Sequence, residues 1–288
     1  MENEPLAPSE LILNPDGSLY HIALRGEEIA DTVILVGDPN RVPKVQKHFD
    51  TVEFNRQKRE FHSFTGTYRG LRITCISTGI GTDNVEIVLN ELDAAANIDP
   101  ETRQLRKQLR QLNFIRLGTC GGLHPDRTPG TLLQSEIAIG FDSLGSFYQK
   151  VKPEMSPKVF GLTKRFKQYY YISPSTIRFN QIDKAITCTM PGFYAPQGRS
   201  LGRIQDTADE VSQMLNTLQI NGRPVDNLEM ETAGIFLLAE LLGHRAASIS
   251  VVLANRTTGA FHPTPSAAVE HLISVGLQKI QETFGQKV

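Results

Sequence analysis

The sequence predicts an α/β fold built on a largely buried central sheet. Apolar, β-branched runs alternate along the chain with stretches that repeat apolar residues at helical spacing. The runs are apolar on both faces, as strands covered by helices on either side must be. Polar or glycine-rich clusters stand directly after several of them, where open α/β sheets bind ligands.

The elements follow in order. Residues 1–20 carry Pro5, Pro8, Pro15 and the turn signal Asp16-Gly17, and read as a loose N-terminal arm before a single domain over 21–288. Thr32-Val33-Ile34-Leu35-Val36 predicts a buried strand stopped by Gly37-Asp38-Pro39. Residues 61–68 and 71–76 flank Arg69-Gly70 as a hairpin. A glycine-rich loop over 77–82 precedes a helix over 84–96, with Val85, Val88, Leu89 and Leu92 on one face. Strands are expected over 113–117, 132–139, 184–189 and 246–253, and helices over 234–242, stopped by Gly243, and 265–283. Residues 142–174 are rich in tyrosine and lysine without a clear period and read as an excursion from the domain.

Composition removes several classes of function. With 30 Lys and Arg against 31 Asp and Glu, the net charge is −1, so a basic duplex-binding surface is not indicated. Hydrophobic residues at 40% and charged residues at 21% exclude disorder as the main state. The three cysteines, Cys75, Cys120 and Cys188, are far apart and lack CxxC spacing, which excludes a disulfide scaffold and a structural zinc site. A reducing compartment fits. The N-terminus lacks the features of a signal peptide, and Glu240, His244 and Arg245 interrupt the most apolar stretch, so no membrane span is expected and the cytoplasm is the expected location. There is no HExxH, no G-x-S-x-G and no nucleotide-binding glycine fingerprint.

Four clusters remain: residues 37–41, 77–82, 116–122 and 255–257. Glycines there let backbone N–H groups approach an anion, or simply make tight strand exits. Arg41, Arg59 and Arg116 suit a phosphate or carboxylate. Arg116 interrupts an apolar strand, so its charge needs a partner, either a ligand or a buried carboxylate. Glu229-Met230-Glu231 precedes a buried helix and suits sugar hydroxyls, or merely the helix dipole. Gln197 and Arg199, next to Phe193-Tyr194, form a planar-base reader or a solvated loop. His21 alone carries no metal signature.

Taken together, these clusters resemble the nucleoside phosphorylase-I family. The matching segments run in family order: His21-Ile22-Ala23-Leu24, residues 36–42, Arg59-Glu60-Phe61, residues 77–81, Ile115-Arg116-Leu117-Gly118-Thr119, Phe193-Tyr194 with Gln197-Gly198-Arg199, Glu229-Met230-Glu231 and Asn255-Arg256-Thr257. The resemblance implies a three-layer α/β/α fold around a twisted mixed central sheet, and reversible phosphorolysis. Its uridine-cleaving branch fits best, with uridine and phosphate giving uracil and ribose 1-phosphate in pyrimidine salvage. By position, Gly37, Arg41, Arg116 and Thr119 resemble phosphate ligands, joined by Arg59 from a neighbouring subunit. Glu229, Met230 and Glu231 resemble the ribose site, joined by His21 from that neighbour. Phe193, Gln197 and Arg199 resemble the base site. Arg199, Gln197, Arg116 and Glu231 would carry the chemistry.

A homodimer is thereby the minimal unit, with hexamers built from dimers as an extension, and neither nucleic acid nor membrane is an expected partner. Inorganic phosphate is the co-substrate and no cofactor is implied. Some members hold interfacial potassium; Glu60 and Ile80 match that site, while Asn84 stands where its serine would be. Cys120 also departs from the threonine or serine common in bacterial uridine enzymes. The competing readings are a phosphorylase or water-using nucleosidase for another nucleoside, purine or deoxypyrimidine, and a non-catalytic nucleoside sensor.

Overall fold

A strand buried on both faces sits at the centre of the molecule. The computed structural model describes residues 4–148, 158–161 and 167–285. Strand β1, Thr32–Val36, is buried at every position. Side chains alternate across a strand. Val33 and Leu35 accordingly join one core with helices α2, Thr82–Asn97, and α4, Thr232–Leu241. Ile34 and Val36 join a second core with α1, Val42–Gln46, and α5, Pro265–Phe284. Helices thus cover both sides of the sheet, in three layers.

The sheet has eleven strands. Its first half runs β2, Thr51–Lys58; β3, Phe61–Tyr68; β4, Leu71–Ser77; β1; and β5, Asn113–Gly122. Its second half holds β6, Leu132–Gly140; β7, Lys158–Gly161; β8, Lys167–Pro174; β9, Asp183–Thr189; and β12, Asn227–Glu229. A separate two-stranded ribbon joins β10, Gln219–Ile220, to β11, Arg223–Pro224. Strand β13, Arg245–Asn255, pairs parallel with β5 and antiparallel with β6. Because β6 pairs β9, β9 pairs β12, and β12 returns to β5, these five strands close into a ring. Parallel and antiparallel pairs are both present, so the sheet is mixed as expected.

Several boundaries differ from the sequence reading. The strand expected to stop at Leu117 runs on to Gly122, because β13 pairs alongside it as far as Asn255 and supplies backbone partners to the glycines. Helix α2 begins at Thr82, two residues before the expected start. Strand β2 was not anticipated, being an exposed edge strand paired with β3 alone, so it shows little core alternation. Helix α3, Ala208–Thr217, was also unread, although Val211, Met214 and Leu215 follow helical spacing into a third core with β9 and β12. The excursion at 142–174 contributes the β7–β8 hairpin at the sheet edge; residues 149–157 and 162–166 of it lie outside the described residues. Residues 4–20, read as a loose arm, lie on the first core through buried Leu11 and Leu19, and the Arg103 guanidinium donates to the Leu6 and Ala7 carbonyls.

Burial of β1 on both faces has a measurable consequence. Ile34→Ala and Leu35→Ala, neighbours pointing in opposite directions, should each cost about 2–5 kcal/mol in denaturant unfolding. A one-sided strand would show that loss for only one of the pair.

Candidate active site

The carboxyl ends of β1, β4, β5 and β12, with the approach to α2, surround a cavity of about 670 Å³. Of the residues singled out from the sequence, Gly37, Arg41, Arg116, Thr119, Phe193, Gln197, Arg199, Glu229, Met230 and Glu231 all line it. His21 and Arg59 do not.

A buried charge network forms the floor. Arg116, 5% exposed, donates through Nη2 to Glu231 Oε2 at 2.6 Å and lies 3.1 Å from Glu229 Oε2; its Nη1 donates to Ser250 Oγ at 2.9 Å. Burial opposes the Arg116 charge, but Glu229 and Glu231 outweigh it, and the guanidinium is held above its ordinary pKa. Gly118 makes room for this side chain, since a Cβ there would fall 1.9 Å from Arg116 Nη1. The buried Arg–carboxylate pair left open by the sequence is therefore present, and it lies in the cavity wall.

The two glutamates differ in their partners. Glu229 accepts from the Thr189 hydroxyl at 2.5 Å, from the backbone N–H of Glu231 and Thr232 at 3.0 and 2.9 Å, and from the Thr232 hydroxyl at 2.8 Å. It holds the start of α4, satisfying donors that a helix N-terminus leaves open. Glu231 accepts from Gly81 N–H at 2.9 Å, which ties α4 to the glycine turn before α2. Gly79 and Gly81 adopt φ of +73° and +92° in that turn, a conformation other residues rarely take.

Arg41 is 9% exposed and donates to the Leu117 carbonyl at 2.9 Å, yet among the described residues no carboxylate lies within ion-pair distance of it. Burial, and then the neighbouring Arg116 charge, lower its pKa. A buried cation with this environment favours an anion beside it.

At the other end, the Arg199 guanidinium lies 3.9 Å from the centre of the Phe193 ring and donates to the Phe193 carbonyl and to Gln197 Oε1 at 2.8 and 2.6 Å. Burial, then Arg256, lower the Arg199 pKa to about 10. Burial lowers the Arg256 pKa too, and Arg256 Nη2 donates to the Gly198 carbonyl at 2.9 Å. This end of the cavity is positive and carries a flat amide-guanidinium edge beside an aromatic face.

Sequence reasoning missed Phe261, which lines the cavity while 64% exposed. It is held by a bridge to Ala254 and by Asn255 N–H donating to the Ala260 carbonyl at 2.8 Å. The flagged 255–257 cluster was the signal for this turn, but the ring lies beyond it. Cys120 lies in the wall, its thiol pushed up to about 12 by burial, and accepts from Asn227 Nδ2 at 3.4 Å. Asn84, where the serine of the potassium site would stand, sets its side-chain amide 3.5 Å from the Ile80 carbonyl. Among the described residues no group of three or more His, Cys, Asp or Glu could hold a metal ion, and no helix is long and apolar enough to cross a membrane.

His21 and Arg59 share a surface instead. The Tyr20 ring meets the His21 ring edge-on at 4.8 Å, and the Arg59 guanidinium lies 5.8 Å from the same ring. Arg59 occupies the left-handed turn between β2 and β3, at φ +54°, immediately before Glu60, which does line the cavity.

The chain is similar to known proteins over most of its length. The Phosphorylase superfamily profile matches residues 31–279. A uridine phosphorylase of Thermococcus kodakarensis is 30% identical over 260 residues, covering 90% of this chain and 85% of that protein. A DeoD-type purine nucleoside phosphorylase of Thermoanaerobacter is 28% identical over 241 residues, covering 83% of this chain and 88% of its own. Among solved structures, a Trypanosoma brucei nucleoside phosphorylase described as showing uridine phosphorylase activity superposes with a TM-score of 0.80 at 27% identity, covering 94% of this chain and 99% of that one.

The state of Arg41 is open to a direct test. Phosphate at about 100 times its Kd should stabilise the protein by about 2.7 kcal/mol in thermal unfolding. Arg41→Met should lose most of that gain without losing stability in phosphate-free buffer. A variant that is destabilised alone yet keeps the phosphate response would show the Arg41 charge to be satisfied within the fold.

Proposed function

The chain belongs to the phosphorylase superfamily, and from that premise we propose that it cleaves uridine with inorganic phosphate to give uracil and ribose 1-phosphate. Pentosyl transfer from a nucleoside is the chemistry of the group; the base is the finer question. The observation that carries the phosphate assignment is Arg41, a buried cation with no ion-paired carboxylate among the described residues, beside Arg116 in one cavity. A nucleosidase using water has no need of this pair.

We assign phosphate to Gly37, Arg41, Arg116 and Thr119, ribose to Glu229, Met230 and Glu231, and the base to Phe193, Gln197 and Arg199. The carboxylate of Glu229 is engaged with Thr189 and Thr232, which supports a role in presenting Met230 and Glu231 rather than a free acceptor. Phosphate attacks C1′ as the C1′–N1 bond breaks, through an oxocarbenium-like transition state. The arginines hold the nucleophile in line, and its charge stabilises the cationic sugar. The departing uracil takes the bonding electrons as an anion. A guanidinium already aimed at that charge stabilises it only as it develops.

The same electrostatics favour a pyrimidine. A purine leaves more readily when its ring is protonated, which needs an acid. Asn255-Arg256-Thr257 supplies no carboxylate, and Arg256 adds positive charge beside Arg199. Such a site suits a base that leaves as an anion. His21 and Arg59 are assigned to the cavity of a second subunit, in a homodimer as the minimal unit. Their absence from the wall of their own chain and their common contact with Tyr20 support this.

Ultraviolet assays test the base and the nucleophile together. Uridine should be cleaved with phosphate or arsenate and not with water alone, and faster than inosine. Uracil release in phosphate-free buffer at the same rate rejects phosphorolysis, and a preference for inosine rejects the pyrimidine reading.

Arg199→Ala should raise the barrier for uridine by about 2.7–4 kcal/mol. Reassorting it with an equally impaired Arg59→Ala variant should restore roughly a quarter of wild-type activity, since half the dimers are mixed and each carries one intact site. No recovery, with subunit exchange confirmed by mass analysis, returns Arg59 to its own chain.

A further inference from the structure

Outside the cavity, one histidine is fixed with unusual completeness by a carboxylate that the mechanism above does not use. Glu91, on α2, accepts from the backbone N–H of His21 and of Ile22, both at 2.9 Å, and contacts His21 Nδ1 at 2.6 Å. The flanking residues anchor the loop, with Ile22 and Leu24 fully buried in the first core. Ala23, at φ +54°, donates its N–H to the Leu19 carbonyl, and its carbonyl accepts from Arg56. The His21 ring packs edge-on against Tyr20 at 4.8 Å and Phe61 at 6.4 Å. Its side chain is nonetheless 26% exposed. Glu91 lies roughly 15 Å along the helix from Gly81, at about 1.5 Å per residue. The cavity of the same chain is at the Gly81 end.

An ionised carboxylate only accepts hydrogen bonds, so the contact at Nδ1 places a proton on Nδ1. Which ring nitrogen carries the proton is set by the partner of the other nitrogen. Carboxylates that orient a histidine in this way are a recurrent support for functional imidazoles. Among the described residues no hydrogen bond reaches His21 Nε2, on a side chain that is partly exposed.

We infer that Glu91 is a positioning residue which holds His21 as the Nδ1–H tautomer and presents Nε2 as an acceptor to a sugar hydroxyl of the nucleoside bound by a second copy of the chain. This rests on the reading that His21 contributes to that copy's ribose site. Glu91 acts through His21 and touches no substrate.

Three measurements test it. In the wild-type protein at neutral pH, the nitrogen NMR shifts of His21 should show a protonated Nδ1 and an unprotonated Nε2. Glu91→Gln should mix the two tautomers and raise the KM for uridine about 3–10-fold, leaving the KM for phosphate within twofold, while Glu91→Asp recovers part of the loss. His21→Ala should raise the uridine KM at least as far, and the double variant should be no worse than His21→Ala alone, because two residues acting as one unit are not additive. An Nε2–H tautomer in the wild type overturns the inference without any variant being made. Multiplicative losses in the double variant, or a raised KM for His21→Ala with none for Glu91→Gln, overturn it and leave the ribose assignment of His21 standing. An unchanged uridine KM for His21→Ala removes that assignment and the inference with it.

Discussion

The pairing of Arg116 with Glu229 and Glu231 is the interaction on which the rest of the cavity depends. A guanidinium placed inside a buried strand is costly without a partner. Here two carboxylates meet it, Glu229 at the end of β12 and Glu231 just before α4, and Ser250 of β13 takes another of its donors. Each partner is also tied elsewhere: Glu229 to the first turn of α4 and to Thr189, Glu231 to the glycine turn before α2. One charge network thus ties the interiors of β5 and β13 to the ends of β9 and β12 and the beginnings of two helices. Breaking a buried pair on one side leaves an uncompensated charge, typically worth about 3–5 kcal/mol.

Around that network the cavity is electrically uneven. Arg41 adds a buried positive charge without an ion-paired carboxylate among the described residues, and Arg199 adds a half-buried one, with Arg256 close behind it. The glutamates lie against Arg116. An anion, a sugar and a base that departs with negative charge match these charge types, which links the proposed reaction to the wall that would perform it. Phe193 and Phe261 give the rim an apolar lining.

Much of this was legible because it is local. Strand β1 announces itself by five successive positions that suit a strand covered on both sides, and α2 by apolar residues on one helical face. The polar clusters at strand ends could be read as cavity residues because a sheet delivers its carboxyl ends to one edge. What was lost is also explicable. Edge strand β2 buries too little for alternation to show, and the run from Gly118 to Gly122 looks like a loop until β13 is laid beside it. Helix α3 carries its signal in the apolar spacing of Val211, Met214 and Leu215.

By itself the sequence determined the α/β class, the main buried strands and helices, and residue types suited to an anion, a sugar and a planar base. Those follow from periodicity and residue chemistry, which act over a few positions. Only the tertiary structure decided how the charges are shared. Nothing in residue order states that Arg116 would meet Glu231 across 115 positions, that Glu229 would spend its oxygens on a helix end, or that Arg41 would be buried without an ion-paired carboxylate among the described residues. Nor does it state that Glu91, 70 positions away, would fix the imidazole of His21. Distances of that kind are set by the packing of strands and helices from separate parts of the chain, and the strength of each charge depends on the burial which that packing creates.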